Sequence, residues 1–254
     1  MMDAMNRFAV LDVGISALTR AAAVRRILEW VAQRDKTYVN VCTVDTVLKC
    51  HDDPALAAIV NGSGMATADG MPLVWVGKAR GFRAERVYGP DLMLGVMEAG
   101  YARQLRHFFY GATDATLLTL RERFEVRFPG LVVVGCHAPP FRPLDEDEVV
   151  SVAALINATR PDVVWVGIGT PRQDYWMARF RPLLEAPVLV AVGAAFDFHS
   201  GRVRQAPRWM MGVGLEWLFR LIMEPRRLWR RYLVGNARFI GLMCYYGKLR
   251  GWRS

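Results

Sequence analysis

Four short polar runs, each following an apolar stretch, hold the residues that could do chemistry. In Met65-Ala-Thr-Ala-Asp-Gly-Met-Pro72 a short strand ends in Asp69, Gly70 permits a tight turn and Pro72 opens a helix. That pattern puts one carboxylate at a sheet's carboxyl edge, where it can take a proton from a hydroxyl nucleophile. A turn or N-cap aspartate has the same local signature, so the pattern alone leaves both readings open. The run Val163–Gln173 is a buried strand, a glycine turn and a helix start, which turns backbone N–H groups toward phosphate. Gly167 and Gly169 lack the third glycine of a dinucleotide fingerprint, and turn chemistry alone accounts for them equally well. Gln173, in the first helical turn, can hydrogen-bond a diphosphate, a sugar or a base.

Val192–Gly201 is a third strand end, carrying Asp197 and His199 between Phe196 and Phe198, which read as core. Tyr38–Thr46 is the fourth, with Thr43 and Asp45 at its exit, where they could line the same cleft as Asp69. There is no DxD pair of the kind that holds a metal–nucleotide diphosphate, and Asp52-Asp53-Pro54 reads as a helix start. The acids Asp145–Glu148 complement a helix dipole. His51, His107 and His137 are scattered without metal spacing. No essential metal and no cofactor are therefore expected. Cys42, Cys50, Cys136 and Cys244 form no CxxC and read as reduced thiols of a cytoplasmic protein.

These strand ends need a scaffold. Strands are expected at Phe8–Val13, Tyr38–Val44, Met65–Ala68, His107–Tyr110, Leu131–Gly135, Asp162–Gly167 and Val188–Val192. Helices are expected at Thr19–Gln33, Pro54–Val60, Pro72–Ala79, Pro90–Gln104, Ala115–Phe128, Asp145–Thr159 and Arg172–Leu184. The alternation predicts an α/β fold: a mainly parallel, Rossmann-like sheet with helices on both faces and ligands at the strands' carboxyl ends. With 53% hydrophobic and 22% charged residues among 254, the chain can bury a real core and is not disordered. No signal peptide is expected, and no stretch reaches the roughly 20 apolar residues needed to cross a bilayer.

The net charge of +9 is all in the tail: residues 202–254 hold 12 Lys/Arg and 2 Asp/Glu, residues 1–201 hold 21 and 22. We therefore divide the chain into an α/β core, 1–201, and a basic, aromatic, helical appendage, 202–254. On a helical projection of Gly214–Tyr232, Arg220, Arg227 and Arg231 share a face, with Arg226 and Arg230 close by. Five arginines in the twelve residues from Arg220 to Arg231 exceed what a solvated face needs and suit phosphate. Asn236–Trp252 adds Phe239, Ile240, Leu242, Met243, Tyr245, Tyr246, Leu249 and Trp252 beside Lys248, Arg250 and Arg253, a mixture suited to an anionic membrane surface. A helix pair packed on the core, or a homo-oligomer interface, is the alternative. No nucleic-acid-binding motif is present.

Taken together, the motifs resemble the WecG/TagA/CpsF glycosyltransferases. The likeness runs from about residue 8 to about 240, on Ala68–Gly70, Tyr88–Asp91, Gly167–Gln173, Phe196–Gly201, Ala206–Met210 and the run Leu215–Leu233. The resemblance implies an inverting, metal-independent enzyme at the inner face of the cell membrane. Such an enzyme moves a sugar from a UDP-sugar to a polyprenyl-diphosphate-linked acceptor in bacterial surface polymer synthesis. Carried over, Asp69 resembles the catalytic base, Thr43 and Gln173 pocket residues, and Arg220, Arg227 and Arg230 the arginines that stabilise the leaving diphosphate. Gly167, Gly169, Asp91 and Asp197 fall within matching motifs and are expected to contact substrate. The chain departs from the pattern at Asp45, where Asn is usual, and at Gln205, where a basic residue is common. Two other classes compete: a nucleotide-dependent oxidoreductase, against which the glycine fingerprint speaks, and a non-catalytic basic membrane adaptor.

Overall fold

The computed structural model describes residues 6–250, with 247–250 as helical backbone only. The expected lipid contacts of Leu249 and Trp252, with Lys248, Arg250 and Arg253, lie outside the described side chains. β1 (Arg7–Val10) and β2 (Val13–Ser16) form an antiparallel hairpin. The single strand expected at Phe8–Val13 is thus two, because the chain reverses at Leu11 and Asp12, with Leu11 at φ 52°. Thr19 caps α1 (Arg20–Gln33), accepting from the Ala22 N–H at 3.1 Å. β3 (Thr37–Cys42) stops short of the expected Val44, because Thr43 leaves the strand to cap α2 (Val44–Asp52) in a reciprocal box with Thr46. This helix was not expected from sequence. Val44, Val47 and Leu48 bury one side of it.

Asp53 then caps α3 (Pro54–Asn61), and β4 (Met65–Ala68) leads into α4 (Met71–Ala79). α5 (Gly89–Gly100) ends in a 3-10 turn at Tyr101–Arg103, earlier than the expected Gln104. β5 (His107–Gly111), α6 (Asp114–Arg127) and β6 (Val133–His137) follow, the last displaced two residues from Leu131–Gly135. Asp145 and Glu148 form the capping box of α7 (Glu146–Ala158), which bears out their helix-start reading. β7 (Val163–Gly167), α8 (Arg172–Phe180), β8 (Val188–Ala191) and the short α9 (Ala195–His199) complete the core elements. Beyond them lie α10 (Arg208–Gly212), α11 (Glu216–Met223), α12 (Pro225–Trp229), a π turn over Arg230–Val234 and α13 (Gly235–Arg250).

The main sheet is parallel throughout, in the order β4-β3-β8-β7-β5-β6. Strand alternation divides its side chains between two faces. Val163, Trp165, Val188 and Val190 pack with residues of α1, α5 and α6; Val164, Val166, Leu189 and Ala191 pack with residues of α7 and α8. A third cluster joins the hairpin, α2, α3 and α4 to the sheet's edge at Ala66 and Ala68.

That third cluster also takes in Phe239 and Met243 of α13, which corrects their expected lipid contact. The two are one helical turn apart and face inward together, while Arg238 grips Asp52 with both nitrogens, at 2.6 and 2.5 Å. Ile240 and Tyr245, on other sides of the same helix, remain 62% and 60% exposed.

Candidate active site

A cleft of about 1230 Å³ crosses the carboxyl ends of β3, β4, β5, β7 and β8, and α11 through the start of α13 form part of its wall. This is where open parallel sheets bind ligands. Asp69 lies at its floor. The Asp69 N–H donates to the Cys42 carbonyl at 2.8 Å, continuing the β3–β4 ladder one residue past β4. The neighbouring segment is tied down as well, Val87 N–H donating to the Ala68 carbonyl at 2.8 Å.

Through that segment Arg86 reaches Asp69 twice, Nε donating to its carbonyl at 2.5 Å and Nη2 to Oδ1 at 3.1 Å. Nη2 also donates to Oε2 of Glu216, on α11, at 2.5 Å. The Arg86 guanidinium lies over the Tyr88 ring, 4.4 Å from its centroid. Burial pushes the Asp69 carboxyl up to about 6, with Arg86 opposing the rise and Glu216 adding to it. A carboxylate so tuned is ionised at neutral pH yet holds a proton better than an exposed one. Burial works against the Arg86 charge, but the two carboxylates outweigh it and hold the group above its ordinary value.

The glycine turn after β7 is held by Gln173. Its Oε1 accepts from the Gly169 N–H at 3.2 Å and the Gly193 N–H at 3.1 Å, tying the exits of β7 and β8 together. Its Nε2 donates to Thr170 Oγ1 at 3.3 Å. Gly169 has φ +79° and faces open space, whereas a Cβ on Gly167 would meet the Phe196 ring at 2.7 Å. One residue on, the buried Asp174 accepts from Asn40 Nδ2 at 2.5 Å, and burial raises its carboxyl to about 6.

Cations close the other side. Arg220, Arg227 and Arg231 line the cleft. Arg231 Nη2 donates to Thr43 Oγ1 at 3.4 Å and its Nε stands 3.6 Å from Asp45. Asp45 also pairs with Lys49 at 2.9 Å, and Lys49 donates to the Thr170 carbonyl at 3.1 Å. Arg220 lies over Phe198 at 5.4 Å. Among the described residues the buried Nε atoms of Arg220 and Arg231 find no hydrogen-bond partner, and both residues line the cleft, where an incoming anion could engage their guanidinium groups. At the cleft's far end Trp176 stacks between Tyr110 and Phe180, 4.2 Å from each ring.

The fold therefore brings Asp69, Thr43, Gln173, Gly167, Gly169, Asp197, Arg220 and Arg227 to one cleft. Two expected contacts are not among its lining residues. Asp91 lies in the first turn of α5, 3.8 Å from Arg20, in a separate depression shared with α1. Arg230 lies over Trp229, its Cζ 5.3 Å from the ring, and Arg231 lines the cleft in its place. His199 bonds the Pro90 carbonyl at 3.1 Å and packs on Phe124, also outside the lining.

Arg86, Glu216 and Asp174 were missed. Arg86 stands two residues before the Tyr88–Asp91 run, and Glu216 is one of only two acids in the basic tail. Among the described residues no group of three or more His, Cys, Asp or Glu side chains is placed to hold a metal ion.

The sequence matches the model of the glycosyl transferase WecG/TagA/CpsF family over residues 8–253. It is 30% identical over 205 residues to an N-acetylglucosaminyldiphosphoundecaprenol N-acetyl-beta-D-mannosaminyltransferase of Bacillus spizizenii, covering 80% of this chain and 77% of that one. It is 28% identical over 176 residues to a protein of the same name from Bacillus subtilis, covering 69% and 66%.

Proposed function

The chain belongs to the WecG/TagA/CpsF family and is a glycosyltransferase, and from that premise we propose that it moves an N-acetylhexosaminyl group from a UDP-sugar to a polyprenyl-diphosphate-linked sugar, with inversion and without a metal ion. The observation that carries this reading is a buried carboxylate at the sheet edge, Asp69, in one cleft with the appendage arginines Arg220, Arg227 and Arg231. Asp69 takes the proton of an acceptor hydroxyl as its oxygen attacks the anomeric carbon. The bond from that carbon to the diphosphate breaks, and UDP leaves with the electron pair. Arg220, Arg227 and Arg231 offset the charge that develops on the diphosphate, the task a divalent cation performs in other transferases. The glycine turn at Gly167 and Gly169, fixed by Gln173, lines the cleft just before the start of α8, where the donor's phosphates would lie.

The relatives' names make N-acetylmannosamine the first donor sugar to test and an N-acetylglucosaminyl-diphospho lipid the first acceptor. Among the described residues no helix is long and apolar enough to cross a membrane. Trp209, Val213, Ile222, Met223, Leu233 and Val234, on the segment from α10 to the π turn, are each more than half exposed, which supports peripheral contact with the inner membrane face in surface polymer synthesis. The test is a panel of UDP-sugars against a short polyprenyl-diphosphate-linked N-acetylglucosamine, read by product mass. A product one N-acetylhexosamine heavier is expected; no transfer from any UDP-sugar, together with tight binding of a nicotinamide cofactor, would move the protein to the oxidoreductase reading.

A further inference from the structure

Glu216 is an unexpected neighbour for a catalytic carboxylate. Its side chain is only 12% exposed, and that of Asp69 only 16%. Two acids in one largely buried site repel, and an Arg86–Asp69 pair would be electrically complete without a second acid. Arg220, four residues along the same helix, is the local partner that helix geometry offers Glu216. Glu216 pairs instead with Arg86, across 130 residues of sequence, at 2.5 Å.

The bond it makes is to the same nitrogen, Nη2, that holds Asp69 Oδ1. One N–H group is thereby committed to each acid. Arg86 cannot swing to give Asp69 a two-pronged grip, because its Nε is bound to the Asp69 carbonyl and its plane lies over Tyr88. Among the described residues no hydrogen bond is made to Asp69 Oδ2, which leaves that oxygen for substrate. Without α11 in place, Nη2 of Arg86 would serve Asp69 alone, and a carboxylate facing an undivided guanidinium charge is a poorer proton acceptor.

We propose that Glu216 is a positioning residue: by dividing Arg86 between two acids it leaves Asp69 competent as a base only while α11 is docked over the cleft. The proposal rests on the reading of Asp69 as the base. It makes proton abstraction conditional on the closed arrangement of the arginines, since Glu216 and Arg220 share one helix. The charged and titratable groups facing Asp69 are Arg86 and Tyr88 from the segment before α5, Glu216 and Arg220 from α11, Tyr232 from the π turn and Cys42 at the end of β3. Of these, Glu216 is the acid that raises the proton affinity of Asp69, while Arg86 and Arg220 lower it.

The test is the pH profile of kcat/KM in the full chain. Glu216→Gln should move the acidic limb to lower pH, since Arg86 then has one anion rather than two to neutralise, and lower the plateau about 10-fold through a weaker base. Glu216→Asp, which keeps the charge, should move the limb less than half as far. Arg238→Ala loosens the tail at the Asp52 pair, away from Asp69, and should leave the limb in place. Glu216→Ala is run beside Glu216→Gln, so that a folding failure in one leaves the other to decide. An unmoved or upward-shifted limb overturns the proposal, as does an equal shift in Arg238→Ala. Asp69→Asn separates the two levels: if it stays active the base reading itself fails, whereas an inactive Asp69→Asn beside an unmoved Glu216→Gln limb overturns only the role of Glu216.

Discussion

Asp69 is bound to Arg86 through both main chain and side chain: its carbonyl accepts from Nε at 2.5 Å and its Oδ1 from Nη2 at 3.1 Å. The strand end and the guanidinium therefore move as one unit, and the carboxylate is aimed by backbone rather than by a free rotamer. Such an arrangement stores electrostatic cost in the folded state, and that cost is measurable.

Arg86→Ala would leave Asp69 and Glu216 facing each other with no cation between them. Stability at pH 8 should fall by about 3–5 kcal/mol, the range for breaking one side of a buried ion pair. The deficit should narrow below pH 6, where Asp69 can take a proton. Urea unfolding at pH 8 and pH 5 checks both parts.

Asp69→Asn should act in the opposite direction. The folded carboxyl sits near 6, above the ordinary value of about 3.9. The native state thus binds that proton more tightly than the unfolded chain, and the charged form is a cost above pH 6. Removing the charge should stabilise the protein by about 1–3 kcal/mol at pH 8. The gain should shrink as pH falls through 6 and vanish near the unfolded value. Equal stability of the two proteins at pH 8, by urea unfolding, would contradict this.

Gln173→Ala would orphan the N–H groups of Gly169 and Gly193 that now share one oxygen. A loss of about 1–3 kcal/mol is expected, with a weaker affinity for UDP because the two loop ends no longer move together. Unfolding and calorimetric UDP titration measure the two effects separately.

Arg231 and Arg230 offer a comparison between the arginine that lines the cleft and the one to which the family resemblance points. Arg231 lines the cleft, while Arg230 lies over Trp229 outside it. Arg231→Ala should lower kcat about 100-fold, as loss of one charge-stabilising donor does, and Arg230→Ala by much less. Steady-state rates with the same donor and acceptor decide it.

The strand ends were legible because each combines a local apolar run with turn chemistry: Asp69 after Met65–Ala68 and Gly169 after Val163–Gly167 need no distant partner to be recognised. The turn at Leu11 and Asp12 was hidden inside an apolar stretch, and α2 behind β-branched residues that Thr43 nonetheless caps into a helix. Arg86 with Glu216, and Asn40 with Asp174, join residues more than 100 positions apart, so no local window contains them. For Phe239 and Met243 the helical face was readable, but what covers it was not; α2 and the cluster behind it supply the cover expected of a membrane.

The central claim is that Asp69 removes the acceptor proton. The direct measurement is turnover of Asp69→Asn with saturating UDP-sugar and acceptor, alongside its affinity for UDP. The account predicts a loss of about 100- to 10,000-fold in kcat, with UDP affinity within a few-fold of wild type; turnover near the wild-type rate would contradict it.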